Sequence, residues 1–210
     1  MHNKLHTGNI YIIAAASGTG KTSLVKMLTE SLDNIVTSIS HTTRPKRVNE
    51  RNGENYFFVT KNHFEDMITR NEFLEYAKVF GHYYGTSKAW VDEQLQQGID
   101  VILEIDYQGA AQVKHLIPDS IGIFILPPSM QELRRRLETR NLDDSEIIEQ
   151  RLMAAKDEIS HAPGFDYIIV NDQFDVALVD LRSIIRSQRL RKEIQLINQQ
   201  QLLAELMQKE

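Results

Sequence analysis

The run Ile10-Tyr-Ile-Ile-Ala-Ala-Ala-Ser-Gly-Thr-Gly-Lys21-Thr22-Ser-Leu-Val-Lys-Met-Leu28 constrains this chain more than any other stretch. Its first part is apolar and rich in β-branched and aromatic residues, as in a strand buried on both faces. Ser17-Gly18-Thr19-Gly20 breaks that run, and Leu24, Leu28 and Leu32 follow at helical spacing. Strand, glycine loop and helix, in that order, are the setting of a phosphate-binding loop. Glycines allow successive backbone N–H groups to turn inward around an anion, and the helix N-terminus adds partial positive charge. Lys21 can reach outer phosphates, and the Thr22 hydroxyl can complete a Mg²⁺ shell. The usual pattern has glycine where Ala15 stands, a place alanine fills at negative φ. A plain turn between strand and helix gives no reason for the triplet Gly20-Lys21-Thr22.

The rest of the composition bounds the answer. A chain of 210 residues can bury one good core, with room for small inserted subdomains. Hydrophobic residues at 41% and charged residues at 25% are those of an ordinary soluble protein. No apolar run approaches the roughly 20 residues that span a bilayer, so no membrane partner is expected. The opening Met1-His-Asn-Lys-Leu-His lacks the apolar core of an export signal, and zero cysteines fit a reducing cytoplasm. A net charge of −5 argues against a nucleic-acid partner and requires any basic site to be local. His41, His63, His82 and His161 are isolated in sequence and suggest polar rather than metal-binding roles.

Taken in order, Asn34 to Ile39 reads as a second strand running into the basic stretch Ser40-His-Thr-Thr-Arg44-Pro-Lys-Arg47. Pro45 keeps Arg44 out of the helical region, so this stretch is an extended loop. Arg44 and Arg47 are then either anion ligands, using guanidinium forks, or part of a solvated basic loop. Asn55 to Val59 and Phe73 to Val79 read as strands, with a short helix bearing Phe64, Met67 and Ile68 between them. Gly81-His-Tyr-Tyr84-Gly85 reads as an aromatic-rich turn, and consecutive strands here suggest a small antiparallel insertion. Ser87 caps a helix to Gln97, ended by Gly98. Ile99 to Asp106 reads as a buried strand ending in two carboxylates, and ligands sit at such strand ends in open α/β sheets. Ile121 to Leu126 is a further strand. Ser129 caps a helix carrying Arg134-Arg-Arg136 and Arg140, and a second helix bears Arg151. Tyr167 to Val170 is the last strand, and Phe174 to Glu210 reads as helical. Its apolar positions Ile194, Leu196, Ile197, Leu202, Leu203, Leu206 and Met207 suit packing either on the body or in a homo-oligomer.

Several motifs together resemble the guanylate kinase family over nearly the full length. They are Ser17-Gly-Thr-Gly-Lys-Thr22, Ser40-His-Thr-Thr-Arg44, Gly53-Glu-Asn-Tyr56-Phe-Phe, Glu75, Tyr83-Tyr-Gly-Thr86, Glu104-Ile-Asp106, Ile125-Leu-Pro-Pro128 and Val170-Asn-Asp172. The resemblance implies an α/β fold, with a P-loop parallel-sheet core flanked by helices, a small mixed GMP-binding subdomain and a helical lid. It implies one domain over 1–210, with the core near 8–39, 87–134 and 162–210, the GMP subdomain near 40–86 and the lid near 135–161. The reaction implied is ATP + GMP (or dGMP) giving ADP + GDP, with Mg²⁺ as cofactor and no general base.

Position by position, the resemblance implies that Ala15, Ala16, Ser17, Gly18, Thr19, Gly20, Lys21, Thr22 and Ser23 hold ATP. Thr22 would serve the metal, and Asn171 would border the nucleotide. Arg44, Arg47, Tyr56 and Tyr84 resemble ligands of the GMP phosphate. Glu75 and Asp106 resemble readers of guanine, supported by Ser40 and Thr86. Lys21, Arg44, Arg140 and Arg151 are the implied catalytic cations. Chemically this is coherent: a phosphate offers acceptors only, while guanine N1–H and its exocyclic amine are donors that carboxylates accept. The family often has Pro where Ala16 stands and Gly on both sides of the lid arginine, where Thr139 and Asn141 stand. A non-catalytic module binding a phosphorylated peptide in the same groove could dispense with the ATP loop, which is intact here. A kinase for another monophosphate would not need both Glu75 and Asp106.

Overall fold

A computed structural model describes residues 8–79, 81–139 and 145–208. In chain order the first half runs β1 (Ile10–Ala15), α1 (Lys21–Ser31), β2 (Ile35–Thr37), β3 (His41–Thr42), β4 (Phe57–Phe58), α2 (Lys61–Thr69), β5 (Phe73–Val79), β6 (His82–Ser87) and α3 (Lys88–Gln96). It continues with β7 (Asp100–Leu103), α4 (Tyr107–Leu116), β8 (Ile121–Leu126), α5 (Met130–Thr139), α6 (Ser145–Ser160), a 3-10 turn, β9 (Tyr167–Val170), α7 (Phe174–Arg189), α8 (Lys192–Asn198) and α9 (Gln200–Leu206).

The main sheet has the order β2-β7-β1-β8-β9, and every pairing in it is parallel. The central strand explains why. Tyr11 and Ile13 point to one face, where Leu24 and Leu28 of α1 and Leu178 and Leu181 of α7 cover them. Ile10 and Ile12 point to the other, against Val91 of α3 and Ala110 and Val113 of α4. Two-sided burial accounts for the continuous apolar run. Each fully buried aliphatic side chain adds about 1.5–3 kcal/mol. Among the described residues no helix is long and apolar enough to cross a membrane.

The second sheet has the order β4-β3-β6-β5. It is mixed: β3 runs parallel to β4 and antiparallel to β6, so the insertion is not wholly antiparallel. The strand read over Asn55 to Val59 is only Phe57–Phe58. His82 to Gly85, read as turn, belong to β6; only Gly81 turns, and Tyr83 and Tyr84 pair with Lys78 and Ala77. The strand expected to reach Asp106 ends at Leu103, and Asp106 instead caps α4, a helix the sequence reading passed over. A third helical unit packs Leu133 and Leu137 of α5 against Ile148, Leu152 and Ala155 of α6 and Ala16 of the glycine loop. The C-terminal segment is three helices. Of its apolar stripe Ile194 is buried, while Leu196, Ile197, Leu202, Leu206 and Met207 are exposed.

Candidate active site

The loop between β1 and α1 starts one long cavity, and its geometry follows from the backbone. Gly18 and Gly20 have φ of 91° and 98°, in the region that favours glycine, whereas Ala15 is not at positive φ. The conformation is braced from behind. The Thr19 hydroxyl donates to the Ala16 carbonyl at 2.6 Å, and the buried Asn171 amide donates to the Thr19 carbonyl at 2.7 Å. A Cβ on Gly20 would lie 2.5 Å from that amide nitrogen, so both φ and the bracing require glycine there. Arg136 also donates to the carbonyls of Thr19 (3.2 Å) and Asn171 (3.0 Å), while Glu132 holds its Nε–H at 2.8 Å. Arg136 thus fastens α5 to the loop.

Lys21 opens α1 and is half-buried. Burial lowers its pKa, and the carboxylates of Glu104, Glu158 and Asp106 act in the opposite sense. The Thr22 hydroxyl donates to Glu104 Oε2 at 3.3 Å, which brings an oxygen-donor pair to the end of β7. Mg²⁺ is commonly held by one or two such protein oxygens, with phosphates and waters filling the shell, so these residues fit it. Among the described residues there is no cluster of three or more His, Cys, Asp or Glu able to hold a metal alone.

The other end of the cavity is built where the two sheets meet. β5 is an edge strand, and Gln112 of α4 pairs with it at Tyr76: its amide donates to the Tyr76 carbonyl at 2.8 Å and accepts from the Tyr76 N–H at 3.2 Å. That docking brings Glu75 against the start of α4, where a Cβ on Gly109 would meet Glu75 Oε2 at 2.6 Å. Glu75 is 3% exposed and accepts from the Thr86 hydroxyl at 2.6 Å. Burial pushes its pKa up to about 7; the Thr86 hydrogen bond opposes this and the Asp106 charge adds to it. Asp106 accepts from the Gly109 N–H at 2.9 Å.

The resulting cavity of about 350 Å³ is lined by the loop from Ala15 to Thr22, by Ser40, Tyr56, Glu75, Tyr84 and Asp106, and by Glu104 and Glu158. Ser23 is exposed in the first turn of α1, and Thr86 lies behind Glu75. Arg44 sits over the Tyr56 ring at 5.5 Å, and the exposed Arg47 follows it. Asn171 addresses the loop from beneath. Arg151 is on α6 and half-buried. Arg140 lies outside the described residues. Sequence reasoning missed Glu158 as a site residue, and it noted Glu104 at a strand's end without giving it a role. Glu158 carries no signal of that kind.

Parallel sheet, braced glycine loop with lysine, and an acidic pocket at the switch between two sheets define a P-loop nucleotide kinase. Comparison with known proteins makes the assignment particular. The sequence profile described as guanylate kinase matches residues 7–188. The chain is 49% identical over 202 residues to guanylate kinase of Legionella pneumophila (strain Paris), covering 96% of this chain and 97% of that protein. It is 52% identical over 201 residues to that of Saccharophagus degradans, covering 96% and 98%. The crystal structure of guanylate kinase from Anaplasma phagocytophilum superposes with a TM-score of 0.75 at 32% identity, over 89% of each chain. The chain belongs to the guanylate kinase family, enzymes that phosphorylate GMP with ATP.

Asn171→Ala should remove the amide that holds the Thr19 carbonyl and leave a gap beneath Gly20, costing about 1–2 kcal/mol of stability. It should raise the KM for ATP more than that for GMP, which parallel melting and steady-state titrations check.

Proposed function

We propose that this chain transfers the γ-phosphoryl group of ATP to GMP across the cavity between the loop and the Glu75–Asp106 pair. The observation that carries this reading is the convergence of two carboxylates at one end of a cavity whose other end is the glycine loop. In the proposed arrangement residues 15–23 hold ATP, with Asn171 as the brace of that loop. Arg44, Arg47, Tyr56 and Tyr84 hold the GMP phosphate, while Glu75 and Asp106, with Ser40 and Thr86, read guanine. Residues 40–86 form the GMP-binding unit, 135–161 the lid that supplies Arg140 and Arg151, and the remainder the core.

The chemistry asks little covalent work of the protein. The nucleophile is an ionised oxygen of GMP, so no general base is needed. The barrier lies in bringing two polyanions together and stabilising charge on the group in transfer. Lys21 alone does not offset Glu104, Asp106 and Glu158 around it. Further cations are required, which is the argument for Mg²⁺ and for the lid arginines. Thr22 and Glu104 would hold the Mg²⁺, which when bound neutralises phosphate charge and aligns the oxygens. Lys21 contacts the outer phosphates, and Arg44 and Arg47 orient the acceptor phosphate.

Guanine is selected because its donors match the carboxylates, whereas adenine presents an acceptor at N1. A coupled ADP-release assay with GMP, dGMP, AMP, CMP and UMP should rank GMP first in kcat/KM. Comparable use of AMP would defeat the reading.

A further inference from the structure

We propose that Glu50 is the positioning residue of the acceptor-phosphate site, acting by holding Arg44 in a fixed pose; this rests on the reading of Arg44 as a phosphate ligand. Arg44 lies in a loop with neither helix nor strand to fix it. A guanidinium at the end of such a loop would sample many rotamers, and fixing one costs affinity each time a ligand binds. Here the fixing is built in. Glu50 Oε1 accepts from Arg44 Nη2–H at 2.6 Å and Oε2 from Nη1–H at 3.0 Å, a two-point fork. Nη1 also donates to the Pro45 carbonyl at 2.8 Å. The Tyr56 and Phe58 rings lie 5.5 and 5.8 Å from the guanidinium carbon.

The same carboxylate does a second thing. Glu50 Oε2 accepts the Arg47 backbone N–H at 2.8 Å, and the Glu50 N–H returns to the Arg47 carbonyl at 3.1 Å. One side chain therefore closes the loop on itself and sets where the second arginine leaves the backbone. Both members of the Arg44–Glu50 pair are sheltered, with side chains 14% and 15% exposed. This distinguishes the pair from the surface pairs of the α-helices, such as Lys26–Glu30 at 73% and 54%.

The donor inventory shows what remains for a ligand. A guanidinium has five N–H groups. Two on Nη1 and one on Nη2 are engaged by Pro45 and Glu50, which leaves Nε–H and the second Nη2–H, a fork of its own. The Tyr84 hydroxyl, on the cavity wall, is a further hydrogen-bond partner of this guanidinium and so meets that remaining edge. Glu50 thus takes the Nη1–Nη2 end of Arg44 and leaves the edge beside the Tyr84 hydroxyl for a tetrahedral oxyanion. It also cancels the Arg44 charge, so Arg44 acts through geometry and Arg47 carries the net charge of the pair.

The test is a double-mutant cycle of Glu50→Ala and Arg44→Ala, read as KM for GMP and for ATP with melting as the fold control. Glu50→Ala should raise the KM for GMP about tenfold, the usual worth of one charged hydrogen bond. The KM for ATP and the GMP/AMP preference should not move. In the Arg44→Ala background the same substitution should have a clearly smaller effect, the part that runs through the Arg47 N–H, because the larger part of its action runs through Arg44. An unchanged or lowered KM for GMP on Glu50→Ala overturns the inference, as does an equal rise in both backgrounds. If Arg44→Ala itself leaves the KM for GMP unchanged, the assignment of Arg44 as a phosphate ligand fails instead. Should Glu50→Ala lower the melting point, Glu50→Gln supplies the second reading. It keeps one acceptor for Arg44 and the Arg47 N–H but sets an amide donor against Nη2, so its KM should fall between those of wild type and Glu50→Ala.

Discussion

Lys21→Ala should lower kcat by roughly 100- to 1000-fold, about 3–4 kcal/mol of transition-state stabilisation, while GMP binding measured by calorimetry stays close to wild type. In the proposed reading the Lys21 ammonium is the cation that the folded loop brings to the phosphates. Its companions there, Glu104, Glu158 and Asp106, are all acids. On that reading its removal would leave a triphosphate facing uncompensated carboxylates. The fold should not suffer, because burial already opposes the charge on Lys21. Melting should therefore be unchanged or slightly higher, the usual relation between a charged active-site residue and stability. Near-normal turnover with normal melting would remove the phosphate-loop assignment; a large fall in melting would mean that Lys21 holds the fold rather than the ligand.

The parts legible in the sequence are those where one local cause decides. β1 is legible because it is buried on both faces, and α1 because the leucines at 24 and 28 meet that strand. The caps are legible because Ser87 and Ser129 sit three residues before the N–H each accepts from, those of Trp90 and Glu132. Where local and distant causes compete, the sequence misleads. Gly81 and Gly85 bracket three residues that look like a turn, but cross-strand pairing with Lys78 and Ala77 makes them a strand. Helix α4 begins with a glycine-containing turn of low helix propensity, yet the Asp106 cap and the packing of Ala110 and Val113 on the sheet secure it.

The site divides the same way. The loop residues are contiguous and could be read as a unit. Glu75 and Asp106 become one site only because Gln112 docks the edge of the second sheet onto α4, which no spacing in the sequence announces. Glu158 lies near the C-terminal end of α6 in no recognisable pattern, and it reaches the cavity because α5 and α6 pack on Ala16.

Guanine recognition should be proton-linked through Glu75. Its pKa is raised from 4.5 to about 7, so the free protein holds a proton there through the weakly acidic range. A carboxyl with a raised folded pKa contributes stability that is fully present below its unfolded pKa and is lost as pH rises through the folded one. The free protein should therefore lose stability between about pH 4.5 and 7 relative to Glu75→Gln. Binding runs the other way. Guanine N1–H and the exocyclic amine need acceptors, so GMP selects the ionised form and should release a proton near neutrality. Burial, with the Asp106 charge adding to it, holds that proton on until the ligand's donors arrive, and the Thr86 hydroxyl steadies the ionised form. The phosphate of GMP titrates near pH 6 as well, so the comparison has to be between wild type and Glu75→Gln, in which that contribution is common. Glu75→Gln should cost about 2–3 kcal/mol in kcat/KM for GMP, because a buried amide donor then faces the donors of the base. It should narrow the GMP/AMP ratio by a similar factor and flatten the extra pH dependence of GMP binding between pH 6 and 8. Calorimetry in buffers of different ionisation enthalpy reads the proton directly: release by wild type that persists undiminished in Glu75→Gln would place the titrating group elsewhere and sink the assignment.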